Sequence, residues 1–201
     1  GIENGAYTPQ LGGGVCQLGS TTYNAAMRSG LVATEHNHHS IPSGYIPLAL
    51  DATINSSNLD FKLRNDADTP VYLVAYTNPS KQYVTVEFYG VPLTDADGQQ
   101  IIYTFTNKYL GRFGSPKSAV KEVASGFKCP DDVIISSKKP EHEYSKPQRG
   151  TKAKAYRITL TLEGKQIKKE DFELWKYPKI DGLIYKLKDY NPEPTQPPAE
   201  P

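Results

Sequence analysis

The sequence predicts an α+β protein, mainly antiparallel β, with one prominent helix after a glycine-rich cysteine loop and a second, small all-β module. Two observations carry this. Behind GGGVC at 12–16, the apolar residues Val15, Leu18, Tyr23, Ala26 and Met27 recur at helical spacing. Beyond residue 31 the pattern becomes short runs rich in Val, Ile, Thr and Tyr, punctuated by Gly and Pro, which is the composition of strands and turns.

Taken in order, residues 1–14 read as loop with a short strand near Tyr7. The helix starts at or just after Cys16 and ends at Gly30, a residue suited to a helix C-terminus. LVATEHNHHSIPSGYIP reads as strand, turn and strand. LDATIN (50–55), LDFKLRN (59–65), PVYLVAYT (70–77) and YVTVEFYG (83–90) read as four strands, the last two joined by a turn at NPSK. DADG at 95–98 is a further turn, followed by the strand QIIYTFTNKY. KSAVKEVA reads as a short helix and KKPEHEYSKPQRG as charged loop. KAKAYRITLTLEGKQIKKEDFELWKY is a hairpin turning through Glu163–Gly164, and GLIYKL is the last strand. NPEPTQPPAEP, residues 191–201, reads as a disordered proline-rich tail.

The formal net charge of +1 over 201 residues gives no electrostatic case for a nucleic-acid partner. No apolar run is long enough to span a bilayer. The first residue is Gly1, so any leader or anchor is expected upstream.

One of only two cysteines, Cys16, stands at the head of the helix. A thiol attacks as its thiolate, which a helix N-terminus and a nearby imidazole both favour. His36, His38 and His39 follow the helix, and Asp51 or Glu35 can hold the tautomer of one of them. Glycines 12–14 allow close backbone approach and free N–H groups for an oxyanion. The alternatives stay open: a buried thiol, a disulfide with Cys129, and histidines that are simply surface residues. The histidine cluster lacks a companion CxxC or HExxH, so no metal ligand and no cofactor are expected.

GGGVCQLGSTTYNAAMRSGL, EHNHHSIPSGYIPLALDATI, LDFKLRNDADTPVYLVAY and VTVEFYG together resemble the VanW domain family in order and spacing, over roughly residues 2–90. The resemblance implies an exported cell-envelope protein of a Gram-positive bacterium, membrane-anchored by a segment upstream. It also implies an L,D-transpeptidase whose nucleophile is Cys16. The family motif Glu-Arg-x-x-His-Ser falls on residues 35–40, making His39 the base, with His36 standing where the family has Arg. Gly-x-Asp-Ala-Thr falls on residues 49–53, keeping Asp51 but with Ala49 in place of glycine. Gly13, Gly14, Gln17, Ser20, Thr21 and His36 are then the expected oxyanion and substrate-binding residues.

The implied partners are peptidoglycan stem peptides. The family's N-terminal strands and Pro-Gly-x-x-Phe-Ser segment are missing, so part of the fold and site is expected to be absent. GTKAKAYRITLTLEGKQIKKEDFELWKY is similar to the second half of a G5 domain, a module implying contact with wall glycans. The expected organisation is a VanW-like domain over 1–93, a β and loop connector over 94–135, a G5-like module over 136–190 and the tail over 191–201.

Overall fold

The computed structural model describes residues 2–3, 6–7, 13–55, 58–81 and 83–190; the expected tail at 191–201 and Gly12 lie outside these. The elements in chain order are β1 (Ile2–Glu3), β2 (Ala6–Tyr7), α1 (Val15–Arg28), β3 (Val32–Glu35), β4 (Lys62–Arg64), β5 (Tyr72–Asn78), β6 (Tyr83–Tyr89), β7 (Ile101–Phe113), β8 (Ser118–Val123), β9 (Glu141–Ser145), β10 (Gly150–Thr161), β11 (Gln166–Tyr177) and β12 (Gly182–Leu187). The fold is mostly antiparallel β with one helix among the described residues, as the sequence predicts; β12 and β8 are a parallel pair.

Two compact units divide the chain, one formed by residues 1–113 and 150–178 and the other by 114–149 and 179–201. In the first, β7, β10 and β11 form a three-stranded sheet, and β3–β4 and β5–β6 are separate antiparallel pairs. In the second, β12 lies between β8 and β9. The expected 136–190 module therefore contributes strands to both units, and β7 of the expected connector is the sheet partner of its β10.

Four elements differ from the sequence reading. KSAVKEVA is the strand β8: its register against β12 supplies a ladder that a short exposed helix could not match. Inside the expected loop, Glu141–Ser145 is the strand β9. LDATIN is no ladder strand. Residues 50–53 are buried yet pair through isolated bonds, such as the Thr53 N–H donating to Asn37 O at 2.7 Å. The second strand expected before Pro47 is likewise absent, because that segment is spent on the histidine loop.

The core of the first unit gathers Tyr23, Ala26 and Met27 of α1 with Leu31 and Ala52. Phe105 and Phe172 from the sheet pack against it and also against a second cluster of Ala49, Leu50, Ala153 and Ala155. The loop 36–55 is thus held between α1 and the sheet. Val123, Cys129, Ile135 and Tyr185 form the separate core of the second unit.

Candidate functional site

Helix α1 opens on Gly14, whose φ of 91° places it in the left-handed region, and no side chain caps the first turn. The Leu18 N–H donates to Gly14 O at 2.9 Å, so the preceding first-turn N–H groups have no intrahelical acceptor. Cys16 is the second residue of the helix, half-buried, beside this end of the helix dipole. Its Sγ lies 3.3 Å from Thr53 Oγ1 and 3.4 Å from Ile54 O. Cys129 is buried, and both cysteines are free thiols, so the disulfide alternative is not realised.

Asp51 organises the histidines. It is 1% exposed, and it accepts from the His39 N–H at 2.7 Å and contacts His39 Nδ1 at 2.7 Å and His38 Nδ1 at 2.9 Å. The Tyr177 hydroxyl also donates to it, and accepts in turn from the Ala49 N–H at 2.8 Å. Burial works against ionisation of Asp51, but the bonds from His38 and His39 outweigh it and hold the carboxyl well below its usual range. A carboxylate there accepts Nδ1–H from each ring and turns each Nε2 toward other partners.

The two rings use Nε2 differently. His39 Nε2 lies 3.1 Å from the Tyr45 hydroxyl, whose own ionisation is pushed up by burial. His38 Nε2 faces Glu173 Oε1 at 3.0 Å, and His36 Nε2 faces Glu173 Oε2 at 3.4 Å. Neither contact is a directed hydrogen bond. Burial favours neutral forms of His38 and Glu173, yet their contacts, together with Asp51 on His38 and His36 on Glu173, win. His38 is pushed up to about 9 and Glu173 held down to about 2.

A β-bulge brings Glu173 in. The β10–β11 register jumps from Ala155 opposite Glu173 to Tyr156 opposite Asp171. Phe172 is left over, and both Phe172 and Glu173 face inward. Glu173, Trp175 and Tyr177 then line one face by strand periodicity, over the small Ala153 and Ala155. Trp175 packs on His38 with ring centroids 4.3 Å apart, and Tyr23 stacks on His36 at 4.5 Å.

The structure thus brings His36, His39 and Asp51 into one cluster with His38, which the surface alternative for the histidines had placed outside. Among the described residues no hydrogen bond joins Cys16 to His39; Tyr45 meets His39 Nε2 and Thr53 meets the thiol. Glu35 holds no histidine, pairing instead with Lys62 at 2.6 Å on the surface. Ser20, fully buried, is a tie between α1 and the loop: its Oγ donates to Ala52 O at 2.9 Å and accepts from Ala52 N at 3.0 Å. Thr21 donates back to Gln17 O at 2.8 Å, Gln17 is half-buried, and Gly13 and Gly14 are exposed beside the thiol's end of the helix. Ala49 has a φ of 61°, which explains why glycine suits that position of the motif. Sequence reasoning missed Tyr45, Glu173, Trp175 and Tyr177. The last three were signalled only by their period of two along one strand.

Residues 1–89 match the family model described as VanW like protein. The chain is 31% identical over 85 residues to the uncharacterized protein YoaR of Bacillus subtilis (strain 168), covering 42% of this chain and 28% of that protein, so it spans less than a third of this relative. Among solved structures, the IgA1 protease G5 domain superimposes with a TM-score of 0.25 at 11% identity, over 45% of this chain and 93% of that one. The HP0197-G5 crystal structure gives 0.19 at 10% identity, over 43% and 95%. Likenesses this loose leave the architecture of the β region to rest on its own strand pairing.

Proposed function

From a segment, residues 1–89, that matches the VanW family, we propose that this chain is a cysteine-dependent L,D-transpeptidase of the cell envelope, forming 3-3 cross-links between peptidoglycan tetrapeptide stems. The observation that carries the reading is the His39–Asp51 pair: Asp51 fixes both the backbone and Nδ1 of His39, leaving Nε2 as the proton acceptor a cysteine nucleophile requires. The uncapped helix N-terminus bearing Cys16 supports it, since free N–H groups there suit an oxyanion.

In the proposed reaction the stem displaces the Tyr45 hydroxyl from His39 Nε2. His39 takes the thiol proton, and Cys16 Sγ attacks the carbonyl of the third stem residue. N–H groups between Gly14 and Gln17 hold the oxyanion, each donor worth about 3 kcal/mol. Collapse breaks the amide bond, His39 protonates the departing amine of D-alanine, and a thioester remains. The amine of a second stem attacks the thioester, forming the cross-link and returning the thiol; water in its place gives carboxypeptidation. Gly13, Ser20, Thr21 and His36 complete the proposed binding region. Contact with wall glycans through the G5-like strands belongs to the same reading, as does anchorage to the membrane of a Gram-positive bacterium.

The test is intact mass after incubation with a tetrapeptide stem. A wild-type adduct equal to the stem less D-alanine, absent in Cys16→Ala, is expected. No adduct in the wild type under conditions that keep the chain folded overturns the reading. A second reading, a non-catalytic wall-binding module, is favoured by Tyr45 on the base and by the exposed rings of Tyr72, Tyr76, Tyr83 and Tyr89 along β5–β6. It predicts that Cys16→Ala pellets with purified cell walls as fully as the wild type while neither forms an adduct.

A further inference from the structure

Beside the His39–Asp51 pair lies a group of donors with no part in the proton transfer or the nucleophilic attack. His36 Nε2, His38 Nε2 and a Glu173 carboxylate oxygen all lie within 4.8 Å of one another. We propose that His36, His38 and Glu173 bind a divalent first-row transition ion, with Zn²⁺ the best match to two imidazoles and one carboxylate. This assignment does not rest on the acyl-transfer reading.

Four observations converge on it. First, the two Nε2 atoms are buried and have no directed hydrogen bond, although the side chain of His38 is only 1% exposed. A buried ring nitrogen without a directed hydrogen bond is costly, and a metal ion held between the ring and the carboxylate satisfies its lone pair. Second, the donors are close together. His38 Nε2 lies 3.0 Å from Glu173 Oε1 and His36 Nε2 lies 3.4 Å from Glu173 Oε2, against about 3.3 Å between donors on a tetrahedral zinc with ligands at 2.0–2.1 Å, so a small movement of the carboxylate closes the set.

Third, the surrounding hydrogen bonds are those a metal-binding histidine needs. His38 Nδ1 is held by Asp51 at 2.9 Å, which fixes the proton there and presents the Nε2 lone pair. The carboxylate is itself oriented by the Tyr23 hydroxyl, which donates to Glu173 Oε2 at 3.1 Å. Fourth, the rings are clamped: His36 by Tyr23, and His38 by Trp175. Three protein ligands on a tetrahedral ion leave one position for water or another oxygen donor.

A metal-free rival uses the same atoms, with a protonated His38 lying between the Asp51 and Glu173 carboxylates. The two differ in what zinc does. The metal-stripped chain is titrated with Zn²⁺ by calorimetry, and its melting temperature is followed with Zn²⁺ and then with excess chelator. One equivalent is expected to bind, raising the melting temperature reversibly. His36→Arg places a cation against Glu173 but offers no lone pair, so it is expected to fold and to bind Zn²⁺ at least 100-fold more weakly. Glu173→Gln is expected to weaken binding in the same direction.

Cobalt serves as the spectroscopic probe. Four-coordinate d–d absorbance without a sulfur charge-transfer band is expected, unchanged in Cys16→Ala. Absence of binding at micromolar Zn²⁺ overturns the proposal. So does equal affinity in wild type and His36→Arg, which makes the ion adventitious, and so does a sulfur-to-cobalt band.

Discussion

At the scale of single residues, Asp51 does the most. Four polar groups converge on its carboxylate, from His38, His39 (twice) and Tyr177, in a place almost closed to solvent. Removing one partner of a buried charged network strands the others, so Asp51→Ala is expected to cost about 3–5 kcal/mol, read from urea unfolding. Tyr177→Phe is the finer probe. It strands the buried Ala49 N–H and removes one donor from Asp51 while keeping the ring, and about 1–3 kcal/mol is expected from the same measurement. Ser20→Ala belongs to this class, since it leaves both polar groups of Ala52 unpaired; a substrate-contact role for Ser20 would instead lower adduct formation with stability unchanged.

At the scale of elements, the helix and the bulged strand decide the site. Gly30 ends α1 with a φ of 76°, and a Cβ there would lie 2.5 Å from Leu93 Cδ2. Gly30→Ala therefore combines left-handed strain with a clash that the Leu93 side chain must relieve, and a loss of about 1–2 kcal/mol in urea unfolding is expected. The helix itself was legible, because helical spacing and a terminal glycine are local signals, but of its apolar stripe only Tyr23, Ala26 and Met27 are buried while Val15 and Leu18 are exposed. The strands β8 and β9 were not. Each is short and charged, with little apolar alternation, and each owes its conformation to the ladder with β12. The bulge at Phe172 was equally hidden: its alternation is broken at one position, and only pairing with β10 shows where.

At the scale of the whole molecule, the segment that matches the VanW family is not self-sufficient. Phe105, Phe172, Glu173, Trp175 and Tyr177 all lie beyond residue 93, yet they cover the α1 core, the histidines and Asp51. A fragment of residues 1–93 is expected to show no cooperative thermal unfolding by circular dichroism, whereas residues 1–190 unfold in a single or stepwise cooperative manner. Cooperative melting of the short fragment would mean that the sheet merely rests on a finished domain.

By itself the sequence determined the mainly antiparallel β class, the helix behind GGGVC, the hairpins at NPSK and Glu163–Gly164, and Cys16, His39 and Asp51 as the residues to watch. These are short-range facts: periodicity, turn chemistry and motif spacing are written in neighbouring residues. Only the tertiary structure decided that Asp51 holds two histidines, that Tyr45 meets His39 Nε2, and that Glu173 closes the group around His36 and His38. The first two lie within the loop after α1, and the Glu173 contacts join that loop to a strand more than a hundred residues on. No local pattern encodes them, because their stability comes from burial and from polar groups that must find partners once water is excluded.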